Sequence, residues 1–142
     1  MNGLDGIGVK VVNAGGDGSA RAVLREIETL LTVLAQKGEE GSIDLSSLPL
    51  TPEDYDLLEE TLGEGEVTAE VNSLGATRVH ETGIPGVWWV THYNEDDDVM
   101  AEFIEVTYCP EILLTPEDDV KDGLEALRAR LFEENLNKSA VE

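Results

Sequence analysis

Four runs of alternating apolar and polar residues follow one another between about residues 65 and 108, joined by links too short for a crossover. Val67, Ala69 and Val71 alternate with polar neighbours, Gly75 turns the chain, and Thr77, Val79 and Glu81 alternate with Arg78 and His80. Val87 to Tyr93 is dense in β-branched and aromatic residues. Glu95-Asp96-Asp97-Asp98 then makes a charged hairpin turn, and Met100 to Tyr108 returns as a strand that ends before Pro110. A period of two is the signature of a strand. Parallel neighbours need a connection of a dozen or more residues, so these four strands form an antiparallel meander.

Helical patterns flank the meander. Ser19 is placed to cap a helix running from about Ala20 to Lys37, in which Val23, Leu24, Ile27, Leu30, Leu31 and Leu34 share a face and Gly38 ends the run. Glu39 to Ser42 reads as a polar link, and Ile43-Asp44-Leu45 as a short extended piece leading to Leu48-Pro49-Leu50. Thr51-Pro52-Glu53-Asp54 starts a second helix: Thr51 caps, Pro52 tolerates its missing N–H in the first turn, and the acids suit the helix dipole. Leu57, Leu58 and Leu62 give that helix its buried face, and Gly63 stops it. Thr115-Pro116-Glu117-Asp118 repeats the device before a last helix with Val120, Leu124, Leu127 and Leu131 at helical spacing. Capping chemistry explains the repeat better than duplication, because the flanking residues do not match.

The expected class is therefore α+β: a four-stranded antiparallel meander over about 65–108, with helices before and after it packed on one face. The chain of 142 residues is the length of one domain and can bury a core without staples. Six glycines make residues 1–18 a flexible arm in which Val9, Val11 and Val12 are candidates for a sheet edge. Residues 19–135 form one domain on this reading, and 136–142 a C-terminal tail.

Composition excludes several classes of function. A net charge of −22 repels nucleic acid and anionic membranes, both of which are bound by neutralising phosphate with Lys and Arg. The same charge attracts a basic partner, or serves solubility alone. No apolar run is long enough to span a bilayer. Met1 to Gly8 lacks the charged and apolar regions of a secretory signal, which makes the cytoplasm the expected compartment. A single cysteine, Cys109, excludes an internal disulfide and a Cys-rich metal knuckle.

Few residues offer chemistry. Gly15-Gly16-Asp17-Gly18-Ser19 resembles a phosphate cradle but lacks the Lys of a P-loop, and Asp17 opposes an anion. His80 and His92 are the only histidines; if their strands pair they can share a face with nearby carboxylates, the basis of an alternative metal-handling or hydrolytic reading. No His-x-His or second thiol supports it, and no cofactor is expected. Glu105 and Glu111 near Cys109 oppose a reactive thiolate. Glu95 to Asp98 lacks the pattern of a calcium loop and serves as a solvated turn or a contact for a basic partner. Trp88 and Trp89 are adjacent on a strand and so point to opposite faces. One can enter the core while the other faces an interface, where Trp is a favoured anchor.

Leu62-Gly63-Glu64-Gly65-Glu66-Val67, Thr82-Gly83-Ile84-Pro85-Gly86-Val87-Trp88-Trp89-Val90, Ile104-Glu105-Val106 and Pro110-Glu111-Ile112 stand in an order and spacing that resemble a known family. It is the C-terminal domain of the HupH/HyaF-type hydrogenase expression/formation proteins. Ile43-Asp44-Leu45, Leu48-Pro49-Leu50 and Pro116-Glu117-Asp118 fit the same template, which covers about residues 43–131. The resemblance implies a cytoplasmic accessory factor in maturation of uptake [NiFe] hydrogenase that acts without catalysis. It implies the iron–sulfur small subunit or its basic leader as client, with a thioredoxin-like accessory protein as a further partner. Larger members hold two related units in tandem. The family brings no catalytic residues. The expected docking residues are Gly63, Glu64, Gly65, Ile84, Pro85, Gly86, Trp88, Trp89 and His92, and a homodimer or a structural oligomer remains an alternative arrangement.

Overall fold

The computed structural model describes the backbone of residues 16–141 and the side chains of residues 19–135. The expected glycine-rich arm lies, up to residue 15, outside the described residues. Helix α1 spans Gly16–Lys37. It begins one turn earlier than the Ser19 cap predicts, so Ser19 is an interior helical residue. At its other end Gly38 takes φ +73° and donates its N–H to the Leu34 carbonyl at 2.9 Å.

Strand β1 (Gly41–Asp44) follows, then a 3₁₀ turn (Leu45–Ser47) and helix α2 (Pro52–Leu62). The meander comprises β2 (Thr68–Asn72), β3 (Ala76–Glu81), β4 (Val87–Tyr93) and β5 (Val99–Val106). All pairings are antiparallel, in the order β1-β5-β4-β3-β2. The four expected strands are present, and β1 extends the sheet to five by pairing Ile43 with Ile104.

Register fixes the two faces. Trp89 pairs with Ile104, and Val87 with Val106, which places them with Ile43 on the face that α1 and α2 cover. Ala20, Val23, Ile27 and Leu34 of α1 and Leu58 and Leu62 of α2 complete this core. Each buried Val, Leu or Ile side chain contributes about 1.5–3 kcal/mol. Trp88, Val90 and Val79 lie on the opposite face and are also buried.

The start of α2 is tied to α1. Thr51 accepts from the Asp54 N–H, and Asp54 accepts in return from the Thr51 N–H at 2.9 Å, a capping box. The other carboxylate oxygen of Asp54 accepts from the Ala20 N–H of α1 at 3.3 Å. Asp54 is fully buried.

Contacts divide the chain into two units after Tyr108, within the stretch expected to be one domain. The second unit holds a 3₁₀ turn (Glu111–Leu113) and helix α3 (Glu117–Val141), which continues through the residues expected as a tail. Glu117, Asp118 and Asp119 sit in its first turn, where acids complement the dipole. No helix among the described residues is long and apolar enough to cross a membrane.

Candidate docking site

Two glycine-bearing loops meet at one end of the sheet. The link from α2 to β2 carries Gly63, Glu64 and Gly65, and the turn from β3 to β4 carries Thr82 to Gly86. The Gly83 N–H donates to the Leu62 carbonyl and the Gly65 N–H to the Glu81 carbonyl, each at 2.8 Å. Glycine is required for this approach: a Cβ on Gly65 would lie 2.5 Å from the Thr82 carbonyl, and one on Gly83 would lie 2.9 Å from that of Leu62. Thr82, buried, fastens the second loop by donating to the Val87 carbonyl at 2.9 Å and accepting from the Ile84 N–H at 3.1 Å. Ile84 and Pro85 are left exposed at the tip.

On one side of these loops lies an open cleft of about 480 Å³, bordered by Glu64, Gly65, Glu70, Arg78, His80 and Glu81. Arg78 is its one cation, and Glu70 already engages it at 3.4 Å. The cleft therefore presents an excess of carboxylate. Ile84 borders an apolar groove of about 510 Å³ between α1 and α2. The expected docking residues Glu64 and Gly65 thus border the cleft and Ile84 the groove, and the backbone contacts of Gly63 to Gly86 join the two.

The tryptophans are placed differently from the expectation of one exposed anchor. They do point to opposite faces, yet Trp88 is 7% and Trp89 4% exposed. Trp88 Nε1 donates to the Thr107 carbonyl at 3.1 Å, and Trp89 Nε1 to Glu102 Oε2 at the same distance. Trp89 also stands between Tyr55, with ring centroids 6.5 Å apart, and the stacked imidazole of His80 at 6.1 Å. Both indoles are buried within the chain and have their N–H groups paired inside it. The phenol of Tyr55 is held above its usual pKa of 10.0, first by burial and then by the nearby carboxylates of Glu102 and Asp44.

The histidines do not converge. His80 pairs with Trp89 and His92 with Thr77, registers of opposite parity that put the imidazoles on opposite faces of the sheet. His92 is engaged with Thr77 Oγ1 at 2.8 Å and packs edge-on against Phe103, so a site using both imidazoles is not formed. His92, expected among the docking residues, stands apart from the loop pair, at the other end of its strand. Among the described residues no group of three or more His, Cys, Asp or Glu side chains is arranged to hold a metal. The Glu95–Asp98 turn is ordered by Asn94, whose side-chain oxygen accepts from the Asp96 and Asp98 N–H groups at 2.8 and 2.9 Å.

Residues 18–133 match the model of the HupH hydrogenase expression protein, C-terminal conserved region. The chain belongs to that family. Among curated relatives, the hydrogenase expression/formation protein HupH of Rhodobacter capsulatus is 40% identical over 91 residues, 64% of this chain and 33% of that protein. The hydrogenase expression/formation protein HoxQ of Azotobacter vinelandii is 38% identical over 87 residues, 61% of this chain and 31% of its own length. The chain thus spans about a third of these relatives. The solved structure of the hydrogenase expression protein HupH from Thiobacillus denitrificans is 43% identical, with a TM-score of 0.78 over 82% of this chain and 98% of that one. The HupH C-terminal region is accordingly an antiparallel sheet with helices before and after it.

Proposed function

We propose that this chain is a non-catalytic accessory protein of [NiFe]-hydrogenase formation that holds a basic segment of its client in the carboxylate-lined cleft beside the paired glycine loops. The names of its relatives supply the hydrogenase context. The observation that carries the docking reading is the cleft itself, which Glu64, Glu70 and Glu81 border together with a single, already engaged Arg78. Such a surface recruits cations and steers their approach. Ile84 and Pro85, exposed on the adjoining loop, supply an apolar contact beside the charges. The client that best fits is the iron–sulfur small subunit carrying its basic leader, bound in the cytoplasm.

Binding of the small subunit with and without its leader, at about 50 and 500 mM salt, tests this. Expected is capture that depends on the leader, weakens at high salt, and falls about tenfold in Glu64→Gln with Glu81→Gln. Equal, salt-insensitive capture of both forms would refute the electrostatic reading.

A further inference from the structure

Strand β2 leaves a row of backbone groups open beside the cleft. It is an edge strand and pairs only with β3 among the described residues. The Val67 carbonyl accepts from the Glu81 N–H at 2.9 Å, and the Ser73 N–H donates to the Gly75 carbonyl at 3.2 Å. Bonded positions alternate along an antiparallel pair, so the odd-numbered residues from 67 to 73 point their N–H and C=O groups at β3. Thr68, Glu70 and Asn72 therefore aim theirs away from the sheet. Proteins often blunt such an edge with Lys, Pro or a bulge. Thr68–Asn72 holds neither Lys nor Pro, and its register against β3 is unbroken.

The same strand borders the cleft. Thr68 and Glu70 are exposed, share a face with their register partners His80 and Arg78, and line the cleft with them. Ala69 and Val71 fall on the other face. Arg78 engages Glu70 through Oε2, and the other oxygen can accept from a further cation. A second copy is a poor occupant of this edge. Pairing two β2 strands about their middle sets Glu70 against Glu70, and each copy carries a net charge of −22. We infer that the basic client segment binds as an extended strand added antiparallel to β2, with basic residues at every second position on the cleft face and small apolar residues between them. Antiparallel pairing is the more stable kind, and it sets one basic residue directly opposite Glu70, where the two exchange both backbone bonds. Strand addition at a sheet edge is a recurrent recognition mode in which alternate side chains give the specificity. The inference rests on the cleft reading and adds the conformation and spacing of what the cleft holds.

The test uses the full chain and a fluorescein-labelled peptide of four Arg-Val repeats, with binding read by anisotropy at about 50 mM salt. N-methylation of the arginine amides removes the donors that face β2 and is expected to weaken binding at least about tenfold. The same change at the valine amides, which face solvent, should leave binding within about twofold. Thr68→Pro removes one outward N–H at the first residue of an edge strand, where Pro is tolerated, and should weaken the unmodified peptide about tenfold, whereas Thr68→Val should not. The methylated peptides need no change in the protein, so they decide the matter even if the Pro variant misfolds. Equal affinity of the two methylated peptides, or a greater loss at valine, would overturn strand addition; if Glu64→Gln with Glu81→Gln still weakens binding, the cleft reading stands. Failure of the unmodified peptide to bind would also overturn strand addition, and capture of the leader-bearing small subunit then decides the cleft reading separately.

Discussion

Replacing Asp54 by Ala tests whether the junction of α1 and α2 is held by one carboxylate. That carboxylate accepts from the Thr51 N–H at 2.9 Å, the Thr51 hydroxyl at 3.1 Å and the Ala20 N–H at 3.3 Å, and the residue is fully buried. Loss of the capping box costs about 1 kcal/mol. Leaving a buried donor without its acceptor costs about 1–3 kcal/mol more. The expected destabilisation is therefore about 2–4 kcal/mol, a large share of a domain's roughly 5–15 kcal/mol. Urea unfolding followed by tryptophan fluorescence reads this directly, since both indoles are buried. Asp56→Ala, an exposed neighbour on the same helix, is the control and should change stability by no more than about 0.5 kcal/mol. A loss below about 1 kcal/mol in Asp54→Ala, or an equal loss in both variants, would refute the assignment.

Other outcomes follow from the same geometry. Gly65→Ala forces a Cβ to 2.5 Å from the Thr82 carbonyl, so it should destabilise by about 1–3 kcal/mol in the same assay, whereas Ala at the exposed position Glu66 should be nearly neutral. The Tyr55 phenol is raised above 10.0, so the neutral form is favoured by folding. Its contribution is complete below about pH 10 and is lost as pH rises through the folded-state value. Absorbance titration should show a late-ionising tyrosine that disappears in Tyr55→Phe, and that variant should lose less stability at alkaline pH than the wild type. Leu58→Ala, in the α2 layer of the core, should cost about 2–5 kcal/mol by urea unfolding.

Much of the fold was legible because its signals are local. Period-two runs located β2 to β5, and Thr51-Pro52 located the start of α2 to the residue. Strand β1 was less so: four residues are too few to show alternation, and Gly41–Asp44 becomes a strand only through pairing with residues 103–106. The tryptophans mark another limit. Residue parity assigns a side chain to one face of a sheet but does not reveal whether that face is covered, and both indoles are buried. The histidines depended on register, which decides the faces of His80 and His92 and is set by pairing across the hairpin. Of the docking residues, glycines at 63, 65, 83 and 86 signalled an unusual backbone, but their mutual contact joins loops about twenty residues apart and has no short-range pattern.

The position of β1 at the edge next to β5 sets an order on synthesis. The meander can assemble from neighbouring segments as they emerge, whereas Gly41–Asp44 must wait for residues 103–106 before it has anything to pair with. Until then the apolar sides of the two early helices have no complete sheet to rest on, so a nascent chain halted before residue 103 should need a holdase to stay dispersed.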